Sequence, residues 1–223
     1  MRNFFITATD TDAGKTHIAC ALVAAFVQRQ KKVAVFKPVA AGCENVNGQQ
    51  VNEDVKLLAA QANCQQSFQD INPVCFLEPI APHIAAMHNN QSIDVDMLIR
   101  AFTQTQKLSA DINIIEGAGG WRLPLGNQQY LSDFVKRTEL DVILVVNMKL
   151  GCLNHALLTY EAILADGLTC VAWLANSINE MPYLEDNIAE LEKLLPMPLL
   201  AKIDHQSDIQ QLANKIEVSR LLQ

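Results

Sequence analysis

The sequence has no close pair of cysteines. Cys20, Cys43, Cys64, Cys75, Cys152 and Cys170 are spread along the chain, and none lies two or three residues from another. That excludes the spacings of a zinc site or a redox dithiol motif. Several sit in apolar segments, where a free thiol behaves as a small hydrophobe, so reduced cysteines in a reducing cytosol are expected rather than a disulfide framework. Basic clusters are also missing. The formal net charge is −7, and no basic run is longer than Lys31-Lys32, which gives a nucleic-acid partner no support. No apolar run is long enough to span a bilayer. Met1-Arg2-Asn3 leads straight into a strand-like segment without the apolar region and cleavage site of a signal peptide. A cytoplasmic protein with no membrane partner is expected. Internal repeats, low-complexity tracts and linkers are absent as well. With 223 residues, half of them apolar, the chain is expected to form a single domain over 1–223 with a sizeable core.

What is present begins at Phe4. The run Phe4-Phe5-Ile6-Thr7 ends in Ala8-Thr9-Asp10-Thr11-Asp12-Ala13-Gly14-Lys15-Thr16, and a helical pattern follows. Strand, small polar loop and helix in that order suit a phosphate-binding loop. Backbone N–H groups at the helix start point at phosphates, the lysine reaches the outer ones, and the threonine hydroxyl can hold Mg²⁺. The glycine usual five residues before that of Gly-Lys-Thr is replaced by Thr9, and the nearest small residue is Ala8. An ordinary strand-to-helix turn with an exposed lysine is the competing reading.

The rest of the chain alternates. A helix is expected over 17–30, from Ile18, Leu22, Ala25 and Phe26 at helical spacing. A strand over 33–36 ends at Lys37-Pro38, a loop fills 38–52, and a helix runs over 53–62 with Asn52 as N-cap. Residues 63–92 read irregularly around Pro73, Pro79 and Pro82, with a short helix after Pro82. A helix over 92–106, a strand over 112–115 and a glycine loop from Glu116 to Gly120 follow, leading through a loop to Tyr130 and a helix over 131–136. The β-branched run Val142-Ile143-Leu144-Val145-Val146 has the character of a parallel strand buried on both faces. A helix from Leu153 to Leu164, a strand over 169–174, a helix over 183–194, a last strand over 199–203 and one or two short helices over 208–222 complete the chain. The expected class is α/β: three layers, a mostly parallel central sheet with helices on both faces. Ligands of such sheets sit beyond the carboxyl ends of the strands, which singles out loop 8–16, Lys37, Glu116, residues 147–149 and Asn176.

Each candidate has a plain alternative. Lys37 suits a transferring phosphoryl group beside Lys15, or is a solvated lysine where a strand leaves the sheet. Glu116 suits Mg²⁺, or opens a tight turn. Asp54 at a helix start is explained by the helix dipole alone. Asn154 and His155 begin a helix whose N–H groups can meet a carboxylate, and Asn154 is equally a cap. The histidines have no metal-ligand spacing. Trp121 reads as a pocket or interface residue and Trp173 as core.

Four segments together resemble the dethiobiotin synthetase family. They are Thr9 to Thr16; Phe36-Lys37-Pro38-Val39-Ala40-Ala41-Gly42; Glu116-Gly117-Ala118-Gly119-Gly120-Trp121; and Val145-Val146-Asn147-Met148-Lys149-Leu150-Gly151-Cys152-Leu153-Asn154-His155-Ala156. Pro73 to His83 is similar to a further stretch of that family, and the resemblance covers nearly the whole chain in order. It implies a P-loop NTPase-like fold and a cyclo-ligase of biotin biosynthesis. ATP, Mg²⁺, CO₂ and 7,8-diaminopelargonate give dethiobiotin, ADP and phosphate, through a carbamate and a carbamic–phosphoric mixed anhydride. It further implies a homodimer.

The resemblance also implies roles. Lys37, Lys15 and Thr11 act at the carbamate and γ-phosphate. Asp12, Ala13, Gly14, Lys15, Thr16 and His17 hold phosphates; Thr16, Asp54 and Glu116 hold Mg²⁺. Glu116, Gly117, Ala118 and Gly119 line the nucleotide. Asn176, Ser177, Ile203, Asp204 and His205 surround the adenine. Lys37, Ala41, Gly151, Cys152 and Asn154 meet the substrate, the last three partly from a second subunit. Departures from the family pattern fall at Ala8 (usually glycine), Asp12 (commonly glutamate), Ala41 (often serine) and Asp204 (often proline). Two other readings remain: an ATPase switch of the partitioning type, opposed by Asp10 and Thr11 where such proteins carry an extra lysine, and a paralogue with an altered substrate.

Overall fold

A computed structural model describes residues 1–46, 48–204 and 208–222. In chain order the elements are β1 (Arg2–Ala8), α1 (Lys15–Gln28), β2 (Val33–Phe36), β3 (Val39–Ala40), β4 (Glu44–Val46), β5 (Gln49–Val51), α2 (Glu53–Gln61), α3 (Phe68–Ile71), β6 (Val74–Cys75), α4 (Pro82–His88), α5 (Val95–Gln106), β7 (Ile112–Glu116), β8 (Pro124–Gly126), β9 (Gln129–Tyr130), α6 (Leu131–Arg137), β10 (Asp141–Asn147), α7 (Cys152–Ala165), β11 (Cys170–Ser177), α8 (Leu184–Leu194), β12 (Leu199–Asp204) and α9 (Ile209–Lys215). A 3₁₀ turn, Val218–Leu221, follows. Six strands form one parallel sheet in the order β12-β11-β10-β1-β7-β2.

The sheet divides the core by strand alternation. Phe4, Ile6 and Ala8 of β1 face one layer while Phe5 faces the other; Ile143 and Val145 of β10 oppose Val142, Leu144 and Val146 in the same way. The first layer holds α1, α2 and α9, the second α5 to α8. Helix α1 is buried all round from Ile18 to Phe26, because the sheet, α2 and α9 enclose it; a helix apolar on every side belongs in a core. In the opposite layer Phe36, Phe102 and Phe134 meet with ring centroids 5.4 to 6.1 Å apart.

The main strands and helices fall where periodicity placed them, within a few residues. The differences are local. The stretch 38–52 contains strand β3 and the β4–β5 hairpin. The irregular stretch contributes α3 and β6, the loop before Tyr130 folds back as β8–β9, and β11 continues through Ala175 and Asn176 to Ser177. These pieces are two to four residues long, too short for any period to show. Trp121, expected at a pocket or interface, is buried against Phe5, and its Nε1–H donates to Asp166 at 2.9 Å. Trp173 is core, as expected. Leu164, expected on the packed stripe of α7, is exposed. Cys43 and Cys75, expected as free thiols, are joined by a disulfide; the parallel pairing of β3 with β6 brings them together. Among the described residues no helix is long and apolar enough to cross a membrane.

Truncating the aromatic centre of the second layer removes packing that nothing nearby can refill. Phe134→Ala is expected to lower the unfolding free energy by about 3–5 kcal/mol, read by urea denaturation.

Candidate functional site

The phosphate-loop candidate is pinned from three sides. Thr9, standing in the usual glycine position, pairs with the neighbouring strand: its N–H donates to the Val145 carbonyl at 3.0 Å and its hydroxyl accepts from the Asn147 N–H at 3.1 Å. Asp10 accepts from the Thr11 N–H at 2.8 Å and pairs with Lys149. Asn176 donates from Nδ2 to the Ala13 carbonyl at 2.8 Å. The loop therefore lies across the carboxyl ends of β10 and β11. Gly14 is required twice over. Its φ is +80°, and a Cβ there would lie 2.2 Å from Asn176 Nδ2. Thr9, Asp10 and Lys149 are singled out by the sequence as strand-end positions, but not as anchors of the loop. A hydroxyl in place of the first glycine was the available signal.

Lys15 starts α1 and is buried; its Nζ donates to the Asp10 carbonyl at 3.2 Å. Burial lowers its pKa, against the attraction of Glu116. Lys37 leaves the end of β2 and lies 3% exposed. Its ammonium sits 2.7 Å from Asp54 Oδ2 and 2.8 Å from Glu116 Oε1. The Thr16 hydroxyl donates to the same Glu116 oxygen at 2.7 Å. Desolvation disfavours the charged lysine, but the two carboxylates outweigh it and raise the Lys37 pKa. Burial likewise opposes ionisation of Asp54, and Lys37 overrides it, holding that carboxyl below the usual range.

Two asparagines hold this arrangement. Asn72 donates to the Lys37 carbonyl at 2.7 Å and to the Val74 carbonyl at 3.0 Å. Asn52 caps α2 through the Asp54 N–H, and its Nδ2 donates to the Ala41 carbonyl at 3.1 Å. The sequence showed Asn52 as a cap but did not mark Asn72, whose partners lie 35 residues back and two residues ahead. Glu116 Oε2 is buried without a hydrogen-bond partner. With Thr16 and Asp54 it forms an oxygen-only donor set, one that fits a hard divalent cation completed by phosphate and water.

A cleft of about 970 Å³ brings together Thr11, Asp12, Ala13, Gly14, Lys15, Thr16, His17, Lys37, Ala41, Asp54, Glu116, Gly117, Ala118 and Gly119. Gly117 also serves packing, since a Cβ there would meet the Phe5 ring at 2.8 Å. Seven predicted binding residues among the described ones do not line this cleft. Asn176 and Ser177 are buried, the first under the loop, the second donating to the Asn179 carbonyl at 2.8 Å. Ile203 is in the core, where β12 turns its side chain inward, while Asp204 lies at the exposed end of that strand. Ile209 of α9 reaches the cleft instead. His205 lies outside the described residues. Gly151, Cys152 and Asn154 form the first turn of α7, also away from the cleft. Beyond the loop from Lys37 lies a second cavity of about 870 Å³, lined by Lys149, Leu150, Tyr183 and Asn187; Thr11 and Asp12 line both cavities.

A six-stranded parallel sheet with a lysine-bearing loop at its carboxyl edge, a buried second lysine and two acids defines a nucleoside-triphosphate enzyme of the phosphate-loop class. The chain belongs to the ATP-dependent dethiobiotin synthetase family. It is 45% identical to the ATP-dependent dethiobiotin synthetase BioD of Alteromonas mediterranea over 221 residues, 94% of this chain and 95% of that one. It is 40% identical to the BioD of Tolumonas auensis over 225 residues, 99% of each chain. A family model described as an AAA domain matches residues 2–213. Among solved structures, the cell division ATPase MinD of Pyrococcus furiosus superposes with a TM-score of 0.56 at 17% identity, over 99% of this chain and 100% of that one; this likeness concerns the fold alone.

Two outcomes follow from the geometry. Gly14→Ala is expected to abolish measurable ATP binding by calorimetry, because the added methyl meets Asn176 and strains a left-handed residue. Asp166 is held below the ordinary carboxylate range: burial opposes ionisation, and hydrogen bonds from Arg122 and Trp121 overcome it. Its stabilisation is complete above the unfolded pKa of about 4 and is lost as pH falls through the lower folded value. Asp166→Asn should therefore destabilise the protein at pH 7, and the difference from wild type should shrink on acidification below about pH 4, read by denaturation across pH.

Proposed function

We propose that the protein is an ATP-dependent dethiobiotin synthetase, acting in biotin biosynthesis as one domain over residues 1–223. Its substrates are ATP, CO₂ and 7,8-diaminopelargonate. The observation that carries the reading is the buried Lys37 between Asp54 and Glu116, in the same cleft as Lys15 and the loop. Carbamate and γ-phosphate are both anionic. Bringing them together requires positive charge: Lys15 and Lys37 place two cations in the cleft, Asp54 and Glu116 offset them, and a divalent cation on those acids would supply the excess when bound.

In this reading Lys15 and the N–H groups of 12–17 bind the phosphates. Lys37 faces the carbamate and γ-phosphate, and Thr11 positions the same groups across the cleft. Mg²⁺, assigned to Thr16, Asp54 and Glu116, neutralises and orients phosphate oxygens when bound. Gly117 to Gly119 form the opposite wall, and Ala41 lies on the diamine side without the hydroxyl that many relatives carry. Asn176, Ser177 and Asp204 are assigned to the base end of the nucleotide; Asn176 contributes by holding the loop. Gly151, Cys152 and Asn154 are assigned to the substrate carboxylate through a homodimer, and exposed Leu150 and Tyr183 beside them suit a face covered by a second copy. A cytoplasmic location accompanies this small-molecule chemistry.

The test is direct. Protein, Mg-ATP and bicarbonate are assayed for phosphate and dethiobiotin with and without diaminopelargonate; ATP turnover indifferent to the diamine overturns the proposal. Lys37→Ala is expected to reduce kcat by about 10²-fold or more while nucleotide binding persists. Near-wild-type turnover would remove Lys37 from the reaction. Glu116→Gln should shift the Mg²⁺ dependence of turnover to higher concentration, and an unchanged dependence would make this acid structural.

A further inference from the structure

The disulfide between Cys43 and Cys75 closes a separation of 32 residues, and its place in the fold is specific. The segment 39–43 and the segment 74–78 run side by side. Phe76 N–H donates to the Ala40 carbonyl at 3.0 Å, Cys43 N–H to the Phe76 carbonyl at 2.9 Å, and Gly42 N–H to the Glu78 carbonyl at 3.2 Å. The regular pairing is only two residues long, so the ladder is short and the covalent bond is its strongest member. Both segments continue into the cleft wall: Ala40 and Ala41 from one, Pro79 to Pro82 from the other. The same ladder begins at Lys37, whose carbonyl is held by Asn72.

We propose that Cys43 and Cys75 form a thiol–disulfide modification site that sets how firmly the diamine side of the cleft is held, tight when oxidised and loosened when reduced. The diamine part rests on the function proposed above. Cys75 is partly exposed and Cys43 buried, which orders the chemistry. The Cys75 thiolate attacks a small-molecule disulfide such as oxidised glutathione, forming a mixed disulfide and releasing one thiol. The Cys43 thiolate then displaces the second thiol and closes the protein disulfide. Two protein thiols lose two electrons and two protons, and the small disulfide is reduced to two thiols. The remaining cysteines suit this chemistry poorly. Burial pushes the Cys20 and Cys170 thiols up to about 12 and raises those of Cys152 and Cys64, which keeps them from the reactive thiolate form. Cytosolic disulfides, where they occur, are mostly transient or redox-sensing, so a labile bond here is compatible with a cytoplasmic enzyme.

The full chain is equilibrated in glutathione buffers of graded redox ratio, acid-quenched, alkylated and mapped by mass spectrometry. Cys43 and Cys75 should convert together between two thiols and one disulfide, while the other four remain thiols. Hydrogen exchange then compares oxidised, reduced and Cys75→Ser protein. The amides of Gly42, Cys43 and Phe76 should exchange faster in the last two, with α1 unchanged. Kinetics should show a several-fold higher KM for diaminopelargonate in reduced and Cys75→Ser protein, with KM for ATP and kcat nearly constant. Failure of the pair to oxidise, or equal exchange in both redox states, overturns the proposal, as does an unchanged diamine KM in an enzyme that forms dethiobiotin. If neither redox form makes dethiobiotin, the substrate assignment fails, and the exchange comparison alone decides the site.

Discussion

Lys37 meets Asp54 at 2.7 Å and Glu116 at 2.8 Å, and the surrounding structure is arranged around that contact. Lys37 and Glu116 are costly to withdraw from water, and removing either leaves the other uncompensated, at about 3–5 kcal/mol, while Asp54 stays about a third exposed. The fold provides the compensation from three elements distant in sequence. The end of β2 supplies Lys37, the capped start of α2 supplies Asp54, and the end of β7 supplies Glu116. Strands β2 and β7 are neighbours in the sheet, paired Phe36 with Ile115, which brings the following residues, Lys37 and Glu116, alongside each other. The helix dipole adds a local reason for an acid at position 54.

The phosphate loop is organised on the same principle from the other side. β1 lies between β7 and β10, so the loop that leaves it is flanked by Glu116 on one side and by Asn147 and Lys149 on the other. Thr9 uses its hydroxyl to fasten the loop to β10, and Asn176 supports it from β11. The residue that departs from the common glycine pattern is thereby one of the anchors. Asp166 performs a comparable service further along, where Trp121, Arg122 and Lys136 converge on one carboxylate and tie down the far end of the glycine loop.

Much of this was legible along the chain. The β-branched run from Val142 to Val146 announced a strand buried on both faces. The strand–loop–helix order around Gly-Lys-Thr announced where phosphate goes, and Asn52 announced the start of α2. Each signal is local: a period, a cap or a short motif produces its effect within a few residues. The short pieces β3, β6 and β8 were not legible, because two or three residues carry no period. Nor was Asn72, which acts through hydrogen bonds to carbonyls rather than through its place in a pattern. The placement of Ile203 in the core and Ile209 at the cleft depended on where α9 packs against α1.

Side-chain order along the chain specifies the class of fold, the position of the phosphate loop and, through four ordered segments, the family. These follow from side-chain type and spacing, which the chain carries explicitly. Folding in three dimensions is what puts Lys37 between Asp54 and Glu116, Asn176 beneath the loop, and Cys43 beside Cys75. Those facts depend on strand order, register and packing, which join residues from 17 positions apart (Lys37 and Asp54) to 163 (Ala13 and Asn176). No local rule encodes such a distance; the burial of two apolar layers against one sheet imposes it.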